Sequence, residues 1–228
     1  MKKKVLLIAF LSFTAVLSAQ ISAGLSVGIN HTSWKWDVDN LPFAWPEYQS
    51  AYGWRAVLLS EIPLHKQLRL RTEFGTQVYA NGDIKQLVFE SDILNGDFNG
   101  TTYRFRENYQ FWEVSVLAEV MPIRKISWFY IVAGATGGKL TKGWTSLKAL
   151  GPDKEQLSGY SIDVKNDNWH HNSLAADLGL GGNIPLSKSF NLKLESRFLY
   201  FFNELDDLDN VHSRISPVML SLACVYKL

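Results

Sequence analysis

The chain of 228 residues has one cysteine, Cys224, and seven prolines. A single thiol excludes an internal disulfide framework and a thiolate zinc cluster, and its position near the chain end excludes lipid attachment behind an export signal. Charge of neither sign dominates: 23 Lys and Arg face 22 Asp and Glu, without the basic block that nucleic acid demands. Beyond residue 20 there is no long apolar run, and mean hydropathy is −0.06. A helix needs ~20 apolar residues to cross a bilayer, so helical membrane spans are excluded. Strand barrels escape that test, because only alternate residues meet lipid.

What is present begins with an export signal. Lys2, Lys3 and Lys4 precede an apolar stretch from Val5 to Leu17, followed by Ser18-Ala19-Gln20. A basic start, a short apolar core and a small residue before the cut describe a cleavable leader, with the cut expected after Ala19. The expected organisation is therefore a signal peptide over 1–19 and one domain over 20–228.

That domain alternates apolar and polar residues with period two, the mark of strands with one apolar face. Eight such runs are predicted: Ile21 to His31, Ala51 to Ile62, Leu68 to Tyr79, Tyr109 to Val120, Trp128 to Lys139, Ser173 to Ile184, Phe190 to Phe202 and Ser213 to Leu228. The run from Trp128 to Lys139 is apolar and glycine-rich on both faces, so alternation does not fix its phase. Proline followed by lysine three residues on recurs at Pro63, Pro122 and Pro185, where second meets third, fourth meets fifth and sixth meets seventh run. Proline lacks a donor and suits a strand end. The other links are long, over Thr32 to Ser50, Ala80 to Asn108, Leu140 to Asn172 and Asn203 to His212.

Short turns at one end and long loops at the other predict an all-β, eight-stranded antiparallel up-and-down transmembrane β-barrel with periplasmic turns and extracellular loops, placed in the outer membrane. A lipocalin-like soluble carrier shows the same rhythm with its apolar side inward. The export signal, the inward glycines and the mixed charge of the polar face favour the membrane version. That face carries Arg55, Arg69, Arg71, Lys193 and Arg197 against Glu61, Glu73, Glu113, Glu119, Asp177 and Glu195. A barrel of eight strands holds little besides its own side chains, so these groups are expected to pair into a packed plug rather than line a channel.

The Ala-Gln signal end, the first strand Gly24-Leu25-Ser26-Val27-Gly28, the repeated Ile-Pro-Leu turn before lysine and the terminal Val-Tyr-Lys-Leu resemble the PorT-like outer-membrane β-barrel proteins of Bacteroidetes. The resemblance spans nearly all of the mature chain. It implies an eight-stranded barrel and, through one branch of the family, a link to secretion and gliding machinery.

Trp34, Trp36, Phe43, Trp45 and Tyr48 crowd the first loop. They are candidates for recognition, or for an interfacial girdle shared with Tyr52 and Trp54. Adjacent His170 and His171 point to opposite faces of a strand, which is poor spacing for one metal ion, with His31 and His212 also near the loop side. Asp206, Asp207 and Asp209 lack the glycine and bidentate glutamate of a calcium loop. Ser173, His171 and Asp177 lie close in sequence without a nucleophile elbow. Cys224 shares the apolar parity of Leu222 and Tyr226 and is expected to face lipid. The reading is a non-enzymatic barrel without cofactors. Its expected partners are outer-membrane lipid and lipopolysaccharide, together with envelope proteins at the loops. A loop-side hydrolase or acyltransferase is the alternative.

Overall fold

The computed structural model describes residues 21–38, 50–87, 103–123, 126, 128–149, 161–162, 164, 171–204 and 211–228. Eight long strands make the wall: β1 Ser22–Val38, β2 Ala51–His65, β3 Leu68–Leu87, β4 Tyr103–Val120, β5 Phe129–Ala149, β7 Asn172–Pro185, β8 Phe190–Phe201 and β9 Val211–Lys227. A two-residue strand, β6 at Ser161–Ile162, pairs only with β5 at Gly143 and Trp144. Every long strand pairs antiparallel with its chain neighbours, β1 pairs with β9, and the ring is closed. Closure leaves no edge along the wall, which lets backbone amides stand in hydrocarbon.

The stagger of the ring follows from the pairing. From Ile62 on β2 the paired residues are Leu70, Ala118, Ala133, Leu178, Phe198, Val218 and His31, and His31 returns to β2 at Tyr52, a displacement of 62 − 52 = 10 residues. Ten steps of strand rise over eight strand spacings tilt the strands by roughly 40°.

Alternation decides which side faces out. Leu25, Val27, Ile29, Leu58, Phe74, Val114, Val116, Leu178, Leu180, Leu194, Leu220 and Leu222 are exposed on the outer surface. Such a continuous apolar exterior has no place in water, where exposed patches stay small. Aromatic side chains bound it at both ends. Trp128 and the Phe190–Tyr226 ring pair (centroids 4.9 Å apart) lie at the turn end, with Tyr52, Trp54, Tyr200 and the stacked Phe74–Trp112 pair at the other. A closed antiparallel ring with an apolar belt between aromatic girdles and charge inside is an outer-membrane barrel, and the chain resides in that membrane. The soluble-carrier alternative is corrected here: it needs the apolar set inward, and the structure turns it outward.

Strands run further toward the loop end than the alternation indicates. Residues 32–38, 80–87, 103–108 and 140–149, expected in loops, are strand. Bulges between Asn81 and Ile84, Ile84 and Leu87, and Gln110 and Phe111 break the parity there, so the period-two signal fades while pairing continues. At the turn end, β2 and β3 join through Lys66-Gln67, and Pro63 and Pro185 lie at the ends of β2 and β7. Pro217 sits inside β9, one residue beyond the last β8 pair, Phe198 with Val218. A residue without an N–H is tolerated there because no β8 partner awaits one. The phase of β5, open from sequence, is fixed with Tyr130, Val132 and Thr136 buried inside.

Inward glycines admit the large interior side chains. A Cβ on Gly181 would lie 2.4 Å from the Tyr130 ring, and one on Gly179 would lie 2.5 Å from Cγ of Arg197.

The single cysteine gives a direct test of facing. Cys224 is exposed on the outer wall, flanked along its own face by Leu222 and Tyr226. In folded vesicles it should react with a lipid-soluble maleimide and resist a charged, water-soluble one. Equal reaction with the charged reagent would contradict a lipid-facing β9.

Candidate functional site

The lumen is filled at three levels. Nearest the turn end, Lys193 on β8 donates through Nζ to Glu119 Oε2 at 2.6 Å and to Glu61, while Arg69 Nη1 donates to Glu119 Oε1 at 2.9 Å. Lys193 also sits 5.0 Å from the centre of the Tyr130 ring, and the Arg71 guanidinium is 5.8 Å from the same ring. Arg69 is the most solvated member, about a quarter exposed (24%), as its place at the mouth dictates.

The middle level is built around Glu73 and Arg197. Glu73 Oε2 accepts from Arg55 Nη2 and from Arg197 Nη2, each at 2.8 Å, and its Oε1 lies 3.6 Å from Arg71 Nε. Arg197 reaches two further carboxylates, with Nε 2.9 Å from Glu195 Oε1 and Nη1 3.4 Å from Asp177 Oδ1. Arg71 Nη2 donates to Glu195. Asp177 Oδ2 accepts from Thr136 Oγ1 at 2.6 Å, and that hydroxyl meets Ser115 Oγ at 2.7 Å. Glu113 differs from the others: its Oε1 accepts from the Tyr79 hydroxyl at 2.7 Å.

Above the ions lies an aromatic cap. Trp34, Tyr79, Tyr109, Phe111, Leu140, Val164 and Ile215 form one buried cluster, with Ile162 and Phe201 against it. Trp34 and Tyr109 rings are 5.1 Å apart, and Tyr79 meets both Phe111 and Phe201 edge-on at 5.5 Å. Tyr79 thus joins the levels, with its ring in the cap and its hydroxyl on Glu113. Such edge-to-face pairs contribute ~0.5–1.5 kcal/mol each beyond area burial.

All eleven charged residues expected on the polar face point into this lumen, ten of them buried and Arg69 half-buried at the mouth. Charges removed from water cost several kcal/mol per ion unless paired. Here Glu73 serves three guanidiniums and Arg197 three carboxylates, so ten of the eleven groups meet an opposite charge without an incoming ligand, and Glu113 is held by the Tyr79 hydroxyl instead. The cap is what the sequence reading missed. Its signal was parity: Tyr109 and Phe111 share their strand face with Glu113.

Trp34 requires a correction. Expected in a recognition loop, it lies within β1 and is 3% exposed, because β1 continues past His31 and even-numbered residues of that strand face inward. Trp36 is also in β1, but its side chain, with Phe43, Trp45 and Tyr48, lies outside the described residues. His170, Asp206, Asp207, Asp209 and the side chain of His212 lie outside them too. His31 faces outward beside Tyr52, with ring centroids 4.9 Å apart. Ser173 and Asp177 share one face of β7 four residues apart, roughly 13 Å along a strand. Asp177 is taken up by Thr136 and Arg197, so the two do not come together as parts of a triad.

No family model matches the chain, and no curated protein matches it. Solved structures with a similar chain path include Neisserial surface protein A (13% identity, covering 90% of this chain and 97% of that one, TM-score 0.43). Others are the outer-membrane protein OprG from Pseudomonas aeruginosa (9%, 92% and 96%, 0.43) and the outer-membrane protease OmpT from Escherichia coli (9%, 92% and 97%, 0.45). The closed pairing and the apolar exterior of this chain carry its assignment as an outer-membrane barrel.

Replacing Glu73 tests the middle level. Glu73→Ala leaves Arg55, Arg71 and Arg197 short of a shared anion and is expected to lower stability by ~3–5 kcal/mol. Tyr79→Phe removes only one hydrogen bond, leaving Glu113 without its donor, and should cost ~1–3 kcal/mol. Urea unfolding in lipid vesicles, followed by tryptophan fluorescence, measures both.

Proposed function

We propose that this protein is a sealed outer-membrane barrel that passes no solute and works as a rigid wall presenting its loop end to the cell surface. The observation that carries the reading is the double closure of the lumen, an ion-paired network crossing it and an aromatic cap above. An open pore spends its interior on water, whereas here the largest interior side chains are locked to one another. Three short links at one end and longer ones at the other orient the turns toward the periplasm and the loops outward.

The function then falls to the loop end. Phe43, Trp45 and Tyr48, with Trp36, remain the candidates for recognising an envelope partner, as aromatic residues supply most interface hot spots. The resemblance to PorT-like proteins supports a place beside secretion or gliding machinery as that partner. Cleavage after Ala19 belongs to the same reading and would be seen as a mature chain beginning at Gln20.

Planar-bilayer recording of the folded protein should show no steady conductance. Stable, ohmic steps would overturn the sealed lumen. Substituting Phe43, Trp45 and Tyr48 together by serine should leave heat-modifiable gel migration unchanged and abolish the loop-dependent phenotype of intact cells. An unaltered phenotype would remove these residues from recognition.

A further inference from the structure

On the outer wall, positive charge among the described Lys and Arg side chains of the loop end is confined to one sector. Lys139 and Lys142 are exposed on β5, and Arg106 lies on β4. Lys139 pairs in register with Trp112 of the upper girdle, and Lys142 with Gln110 just above it. The outward residues below Lys139 on β5 are Phe129, Ile131, Ala133, Ala135 and Gly137, so the first lysine stands where the apolar belt ends. That height is the headgroup layer of the membrane.

The sector is built rather than scattered. Arg106 Nε donates to Asn108 Oδ1 at 3.1 Å, and its Nη2 donates to the Tyr52 carbonyl, tying β4 to β2 across the outer surface of β3. The Lys142 ammonium is 5.5 Å from the centre of the Trp144 ring. Neither Lys139 nor Lys142 has an ion-pair partner among the described residues, and β4 and β5 show no carboxylate among their described outward side chains. β4 and β5 also continue in register to the Tyr103–Ala149 pair, whereas the β5–β7 pairing stops at Lys139 with Asn172. A tall wall with Lys139 and Lys142 at its foot therefore stands beside the outer leaflet.

We infer that this β4–β5 wall binds the phosphorylated glucosamine headgroup of a lipopolysaccharide, with Lys139 and Lys142 meeting the phosphate and Trp112 and Trp144 bordering the sugar. The sign of the charge, its depth at the end of the apolar belt and the height of the wall above it select a phosphate-bearing saccharide lipid over a simple glycerophospholipid. The inference rests on the loop end facing outward, as in the function proposed above.

The test uses the full-length mature protein in discs of zwitterionic lipid, titrated with fluorescent lipopolysaccharide. Lys139→Ala with Lys142→Ala should bind about thirtyfold more weakly, and Lys139→Arg with Lys142→Arg should retain binding. Enzymatically dephosphorylated lipopolysaccharide should lose affinity for the wild-type chain to a similar extent, and phosphatidylglycerol should fail to compete. Unchanged binding by the alanine variant, indifference to phosphate or full competition by phosphatidylglycerol would each overturn the site. Heat-modifiable migration verifies that each variant folds. Labelling K142C with an impermeant maleimide on intact cells, in a Cys224→Ser background, separates the two readings. No labelling sinks the outward orientation, whereas labelling together with unchanged lipopolysaccharide binding sinks only the site.

Discussion

Neutralisation of Glu73 is the constraint on which the interior depends. One carboxylate is shared by the guanidiniums of Arg55, Arg71 and Arg197, contributed by β2, β3 and β8. β2 and β3 are neighbours and β8 stands across the ring from them, so the ion cluster ties the wall across its diameter, where backbone pairing acts only between neighbours. A buried pair is weak evidence for stability in itself, since desolvation offsets attraction. Its consequence here is specificity. With both signs buried in one narrow space, a register slip of one residue would turn the ionic face of a strand into hydrocarbon and its leucines into the lumen.

The outside obeys the complementary constraint. Without water, the wall must satisfy its amides internally, and closure with a stagger of ten residues does so while tilting the strands. The apolar belt and its two aromatic girdles then fix the depth of the barrel in the bilayer. Above that depth the chain is free of the alternation rule. There the strands continue through bulges, and inward aromatic residues replace ions as the filling.

This division explains what the sequence disclosed. Strand number, connectivity and facing were legible because lipid on one side and buried charge on the other enforce period two, as in Leu192, Leu194 and Phe198 against Lys193, Glu195 and Arg197. The partners of those charges were not legible. Arg71 meets Glu195 across 124 positions of sequence, a meeting set by stagger and barrel radius rather than by any local pattern. The phase of β5 was hidden because alanines and glycines populate both of its faces, and the neighbours Glu113 and Asp177 across the register decide it. Trp34 was misread because β1 outruns the membrane, where strand and loop compositions look alike.

The central claim, ion-bearing side inward and apolar side on lipid, is most directly measured by nitroxide scanning along β8 from 190 to 201. A period-two pattern is expected: labels at Leu192, Leu194, Ser196 and Phe198 are relaxed by oxygen dissolved in the bilayer, and labels at Asn191, Lys193, Glu195 and Arg197 are reached by neither oxygen nor a water-soluble nickel chelate. A pattern of opposite phase, or nickel access at the odd-numbered positions, would contradict it.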